Sequence, residues 1–139
     1  QSDEQGIAAA TKPLEYQSAV QKLGVSIKEL NRLEEFGLFE PLVMEGKKYI
    51  PEDSIAFVQA SQVFLAFGHD ARHLKKFFGN PADSATHEVY SILSQVYRYK
   101  SEESRKQLRE KIDELSKNAE MIYAHQFRKL LTEKLKDFI

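Results

Sequence analysis

Between Gly24 and Asp53 the chain reads GVSIKELNRLEEFGLFEPLVMEGKKYIPED, an order of caps, breakers and apolar residues that few folds accommodate. Gly24 supplies a tight turn after an apolar segment. Ser26 and Glu29 have the Ser-x-x-Glu spacing in which each side chain bonds the other residue's backbone N–H, so a helix is predicted to begin at Ile27. That helix ends near Phe36-Gly37, where glycine can turn left-handed, and Leu38 to Pro41 then leads away as extended chain. Met44-Glu45-Gly46-Lys47 reads as a hairpin turn and Lys48-Tyr49-Ile50 as the return strand. Pro51-Glu52-Asp53 starts a further helix, with proline early and acids in its first turn.

The flanks extend this pattern. Leu14 to Leu23 is expected to be a short first helix whose Ala19, Val20 and Leu23 pack against Ile27, Leu30 and Leu33. After Pro51, the residues Ile55, Val58, Ala60, Val63, Phe64, Ala66 and Phe67 are apolar over a wide arc, as in a helix pressed between others and ended by Gly68. Asp70 is expected to cap a short helix with Leu74, Phe77 and Phe78 facing inward, broken by Gly79-Asn80-Pro81. Helix, turn, helix and basic-tipped ribbon together predict a mainly α fold over residues 14–79: a winged helix-turn-helix with a small two-stranded wing. Residues 80–139 are expected to form a C-terminal helical hairpin, with one helix from about Ser84 or Ala85 to Tyr99, carrying Val89, Ile92, Leu93 and Val96. The second is longer and capped by Ser101. Along it Leu108, Ile112, Leu115, Ala119 and Ile122 alternate at spacings of four and three, after which the apolar positions drift to Phe127, Leu130, Leu131, Leu135 and Phe138. A long amphipathic helix needs a partner, so these five residues are the expected dimer interface; packing on the same domain is the alternative.

Composition narrows the function classes. With 139 residues, 42% hydrophobic and 29% charged, the chain supports one small domain with a helical appendage. The absence of cysteine removes disulfide frameworks, thiolate nucleophiles and cysteine-based zinc sites, and suits the expected cytoplasmic location. No apolar run approaches the roughly 20 residues needed to cross a bilayer, so no membrane partner is expected. Residues 1–13 read as a linker or disordered stretch, which suggests an excised portion of a longer protein. There is no glycine-rich phosphate loop, no G-x-S-x-G and no carboxylate pair with acid–base spacing, so an enzyme is the weakest class and no cofactor is expected. His69 and His73 are four apart, a spacing that can bind metal, but a surface pair is the simpler reading; His87 and His125 stand alone. Tyr90, Tyr97, Tyr99 and Tyr123 could line a pocket between the terminal helices, or simply pack there.

Gly24-Val25-Ser26, Glu34-Glu35-Phe36-Gly37-Leu38-Phe39-Glu40-Pro41, Gly46-Lys47-Lys48-Tyr49 and Glu52-Asp53 occur in an order that resembles the G-V-S, E-x-x-G-L-x-x-P, G-x-x-Y and E-D signatures of the MerR-like transcription regulators. The likeness spans residues 14 to 78. Leu33 to Leu38, Ala71-Arg72-His73-Leu74 and the terminal helix look most like the C-terminal half of the actinobacterial two-domain MerR-like regulators associated with cell-division gene expression. The resemblance implies double-stranded DNA as partner and a homodimer. The residues placed to contact DNA are Lys28, Asn31, Arg32, Lys47, Lys48, Tyr49 and Arg72, with Lys75 and Lys76 beside the last. Where the family usually has Arg-Tyr-Tyr, this chain has Asn31-Arg32-Leu33, so a cation is displaced. Asn31 can still pair with adenine and Arg32 with phosphate or guanine, while Glu29, Glu34 and Glu35 repel the DNA backbone. Lys12 to Pro51 carries six basic and six acidic residues, so this head is neutral. Two readings follow: a DNA-binding regulator module, or a degenerate winged helix serving dimerisation, ligand sensing or partner recognition.

Overall fold

The computed structural model describes residues 12–139, so the expected linker lies outside the described residues apart from Lys12 and Pro13. The chain is mainly helical with one three-stranded antiparallel sheet. It divides into two compact units, the first ending at Ala85 and the second running Thr86–Ile139.

The first unit opens with a departure from the expected helix. Leu14–Glu15 is a short strand, β1, pairing Leu14 with Ile50 and Glu15 with Tyr49, and helix α1 begins only at Tyr16 and runs Tyr16–Leu23. Pro13 biases the chain entering β1 toward extended backbone, and pairing with an open strand edge satisfies backbone groups that a frayed first helical turn would leave to water. Helix α2, Ile27–Glu35, starts with the full capping box: Glu29 N–H donates to Ser26 Oγ at 3.0 Å and Ser26 N–H donates to Glu29 Oε1 at 3.0 Å. Strands β2 (Leu42–Met44) and β3 (Lys47–Ile50) pair Leu42 with Tyr49 and Met44 with Lys47, leaving Glu45-Gly46 as a two-residue turn. Both turn residues have positive φ, 52° and 76°, as a type I′ hairpin demands; glycine does so freely, glutamate at a cost. The expected ribbon therefore forms, but within a sheet of order β1-β3-β2.

A 3-10 turn, Glu52–Ser54, leads into α3, Ile55–Ala66. Ile55, Val58 and Ser61 are buried, and the Ser61 hydroxyl donates to the Val58 carbonyl at 2.6 Å, which satisfies it inside. Val63 and Phe67, expected inside, are 61% and 82% exposed. The apolar arc of α3 is wider than the face its neighbours cover, so periodicity alone could not say which side would be left outside. Ala19, Leu30, Leu33, Ile50 and Val58 are fully buried, and with Val25, Ile55, Ala71 and Leu74 they form the core that sets α2 against the sheet.

The expected break at Gly79-Asn80-Pro81 is absent. Helix α4, Ala71–Leu74, widens into a π turn at Lys75–Gly79 and passes directly into α5, Asn80–Val96. Asn80 N–H reaches back to the Lys75 carbonyl, and that wide turn admits Pro81 with neither its ring nor its missing N–H ending the helix. Gly79 lies inside the π turn, and a side chain there would meet Leu38 Cδ2 at 3.4 Å, an ordinary packing distance, so this glycine does not act as a stop.

In the second unit α6, Glu102–Lys134, is capped by Ser101, whose Oγ accepts from Ser104 N–H at 3.1 Å. No residue of α5 or α6 is buried. Shielding within the unit is confined to Leu93, Tyr97, Ser104, Leu108 and Lys111, on either side of the connection. This is not a hairpin packed along its length. On α6 an ion pair joins Lys111 to Glu114 at 2.8 Å; the Lys111 ammonium donates to the Glu114 carboxylate, and that bond raises Lys111 and lowers Glu114 from their ordinary pKa values.

Candidate nucleic-acid interface

The capping box fixes where α2 begins, and burial of Leu30 and Leu33 fixes its rotation. Positions on the opposite side therefore face solvent: Lys28, Asn31 and Glu35 are exposed and Arg32 is half-buried beside them. Lys28 and Asn31 make no ion pair or side-chain hydrogen bond among the described residues. Arg32 is committed. Its guanidinium lies 3.6 Å from the Asp70 carboxylate and 5.4 Å from the centre of the Phe36 ring. A cation held in this way costs interactions before it can turn to a phosphate.

The hairpin stands beside α2 because Lys48 Nζ donates to both Glu34 carboxylate oxygens, at 3.2 and 2.9 Å. The same Glu34 Oε1 accepts from Tyr16 Oη at 2.9 Å. Burial first, and then the bond to and charge of Glu34, push the Tyr16 phenol well above the usual tyrosine range; the group is a permanent donor. One carboxylate thus ties α1, α2 and β3 together. Of the hairpin residues read as DNA contacts, Lys47 is exposed next to the turn, Lys48 is exposed but occupied by Glu34, and Tyr49 is half-buried between Glu15 and Leu42 in the sheet.

The third element is the start of α4. Asp70 caps it, accepting from Arg72 N–H at 3.1 Å and His73 N–H at 3.2 Å, while Asp70 N–H donates to His73 Nδ1 at 3.2 Å. The backbone bond from His73, with the charges of His73 and Arg72, holds the Asp70 carboxyl below the usual aspartate range. Arg72 is exposed. The His69 and His73 rings meet edge to face at 5.4 Å, and His69 meets Phe77 likewise at 5.4 Å. Among the described residues no set of three histidines, cysteines or acids could hold a metal.

Between α2 and this cap lies an open cleft of about 490 Å³ lined by Ser26, Lys28, Glu29, Arg32, Leu65, Gly68, His69, Asp70 and Ala71. Its two carboxylates are spent on helix caps, while Lys28 projects into solvent at its rim. The structure thus brings Lys28, Asn31, Arg32 and Lys48 onto one helix-and-hairpin assembly, with Lys47 at the hairpin turn and Arg72 on the neighbouring helix start. Sequence reasoning did not find that Glu34 and Asp70 each neutralise a candidate cation. Lys48 is 14 residues from Glu34 and Arg32 is 38 from Asp70 (70 − 32), so no local spacing announces either pair. On α6, Ile112, Leu115 and Ile122 are 46%, 39% and 64% exposed; Ala119 is also exposed and Leu108 half-buried. Among the described residues no helix is long and apolar enough to cross a membrane. Comparison with family models, curated proteins and solved structures returns no match.

The Glu34 clamp yields a test. Glu34→Gln keeps an acceptor for Tyr16 but releases Lys48, so thermal unfolding should shift by less than about 1 kcal/mol, the range of a part-exposed ion pair. If the hairpin meets DNA, the variant should also bind duplex more tightly than the parent, measured by fluorescence anisotropy.

Proposed function

We propose that the chain is a non-enzymatic module of a bacterial transcription regulator: a MerR-like winged helix that contributes to binding double-stranded DNA, joined to a helical region that pairs two copies. The observation that supports this most is the exposed Lys28–Asn31 face of α2, alongside which the Lys48–Glu34 contact pins a hairpin with Lys47 at its turn. A helix of this kind enters the major groove while the hairpin holds the flanking backbone. Asn31 is the base-reading side chain, through a bidentate pair with adenine, and Lys28, Lys47 and Arg72 are the phosphate contacts.

Three such cations make a small electrostatic footprint. Each neutralised phosphate contributes a salt slope of about 0.9, so one head alone binds weakly, and pairing through α6 doubles the number of contacts. Duplex titrations at rising salt should give a slope of roughly 2–3 per head, and Lys28→Ala with Lys47→Ala should cut it by about 2 without changing the unfolding temperature. A flat salt response would end the DNA reading.

A second reading is favoured by one observation: Lys48 and Arg32 spend their charges on Glu34 and Asp70. On that reading the unit is a degenerate winged helix used for dimerisation, ligand sensing or partner recognition, and the same titration separates the two.

A further inference from the structure

The cap of α4 departs from the ordinary capping box in its second half. Such a box returns a Glu or Gln side chain from the third helical residue to the N–H of the cap, as Glu29 does for Ser26. At Asp70 that residue is His73, and the acceptor is its ring nitrogen Nδ1, 3.2 Å from the Asp70 nitrogen. Only a ring without a proton on Nδ1 can accept this bond. The same nitrogen lies 3.0 Å from Asp70 Oδ1, so once it carries a proton it turns donor, and the carboxylate is the acceptor it meets. The box then opens at the N–H and closes at the oxygen.

That exchange reaches Arg32. Its guanidinium stands 3.6 Å from Asp70 Oδ2, longer than a good hydrogen bond, so attraction between opposite charges is what holds it there. An imidazolium at the other oxygen shares that charge and repels the guanidinium. The surroundings supply no replacement. Helix α3 carries no charged residue, while α4 and the π turn add Arg72, Lys75 and Lys76. The other carboxylate lining the cleft, Glu29, is bound to the Ser26 N–H. His69, edge to face with His73 at 5.4 Å, brings charge of the same sign when it is protonated. Asp70 itself stays ionised, because the backbone bond from His73 holds its carboxyl below the usual aspartate range. The Arg32, His73 and Asp70 side chains are 41%, 42% and 43% exposed, which lets the guanidinium swing out and keeps the effect modest.

We propose that His73 is a proton-operated latch on Arg32: the neutral ring closes the Asp70 cap and leaves the carboxylate to hold Arg32, whereas the protonated ring takes the carboxylate and frees Arg32 for a phosphate. The use made of the freed cation rests on the DNA reading; its release does not.

The test starts without DNA. Carbon NMR relaxation at Arg32 Cδ is followed in the full chain from about pH 7.5 to about pH 5.5, the interval in which histidines take up a proton. Arg32 should gain mobility over the same interval in which the His73 ring nitrogens titrate. His73→Gln supplies a capping-box acceptor that does not titrate, and Arg32 should then stay ordered at both ends; His69→Gln should leave the response in place. Asp70→Asn keeps a good cap without the charge, so Arg32 should be mobile at every pH. With duplex added, acidification should steepen the salt slope of the parent by about 0.9 per head more than that of His73→Gln, and tighten its binding by up to about fivefold more. An Arg32 that stays ordered while His73 titrates, that loosens equally in His73→Gln, or that remains ordered in Asp70→Asn would overturn the latch. Release of Arg32 with no gain in duplex affinity upholds the latch and counts against the DNA reading.

Discussion

Leu33→Ala is expected to cost the first unit about 2–5 kcal/mol, the range for truncating a leucine where the surroundings relax only partly. Leu33 is 0% exposed and lies in the core cluster with Leu30, Ile50 and Val58. Its neighbour in sequence, Glu34, carries the contacts to Tyr16 and Lys48, so a shifted α2 disturbs the hairpin as well. Small domains hold only about 5–15 kcal/mol in total. The variant should therefore show a large drop in the denaturant midpoint of the first unit and lose any DNA affinity with it. Chemical denaturation followed by circular dichroism measures this, and a shift below about 1 kcal/mol would mean that Leu33 is not the core residue its burial implies.

The second large effect concerns α6. Thirty-three residues of helix with no buried side chain would be poorly stable alone, because tertiary packing supplies most helical stability in water. If two copies meet along Leu108, Ile112, Leu115, Ala119 and Ile122, each isoleucine contributes about 1.5–3 kcal/mol by burial. Ile112→Glu with Ile122→Glu removes four such side chains from a pair of chains, roughly 6–12 kcal/mol, and the dissociation constant should rise by a factor on the order of 10⁴ or more. Sedimentation equilibrium should report a monomer, with helical signal lost from α6 and the first unit still folded. A parent chain that is already monomeric at every concentration would remove the dimer, and helix loss without any change of mass would assign the stripe to packing within the chain.

The parts of the fold governed by neighbours in sequence were legible. Ser26 with Glu29, Asp70 before α4 and Ser101 before α6 cap the helices expected of them, because a cap is a contact across three residues. The Glu45-Gly46 turn followed from two strand-like runs and a glycine. What escaped was set by distant parts of the chain. Leu14 and Glu15 are strand because β3 offers an edge far along the chain: Leu14 meets Ile50, 36 residues on, only after folding. Pro81 fails to break its helix because a π turn precedes it, which no spacing rule foretells. Of the site, the exposed face of α2 could be read from periodicity, whereas the silencing of Lys48 and Arg32 by Glu34 and Asp70 required coordinates.

Glu34 gives Lys48 a built-in counterion. When an ordinary surface lysine meets a phosphate, a condensed cation leaves the DNA for bulk solution, and that gain in freedom drives much of the association. At Lys48 the ammonium must also exchange one oxyanion for another, and Glu34 is left beside the polyanion needing a cation of its own. Uptake of that ion offsets the ion set free, so a duplex contact made by Lys48 would orient the hairpin while adding almost nothing to the entropic drive.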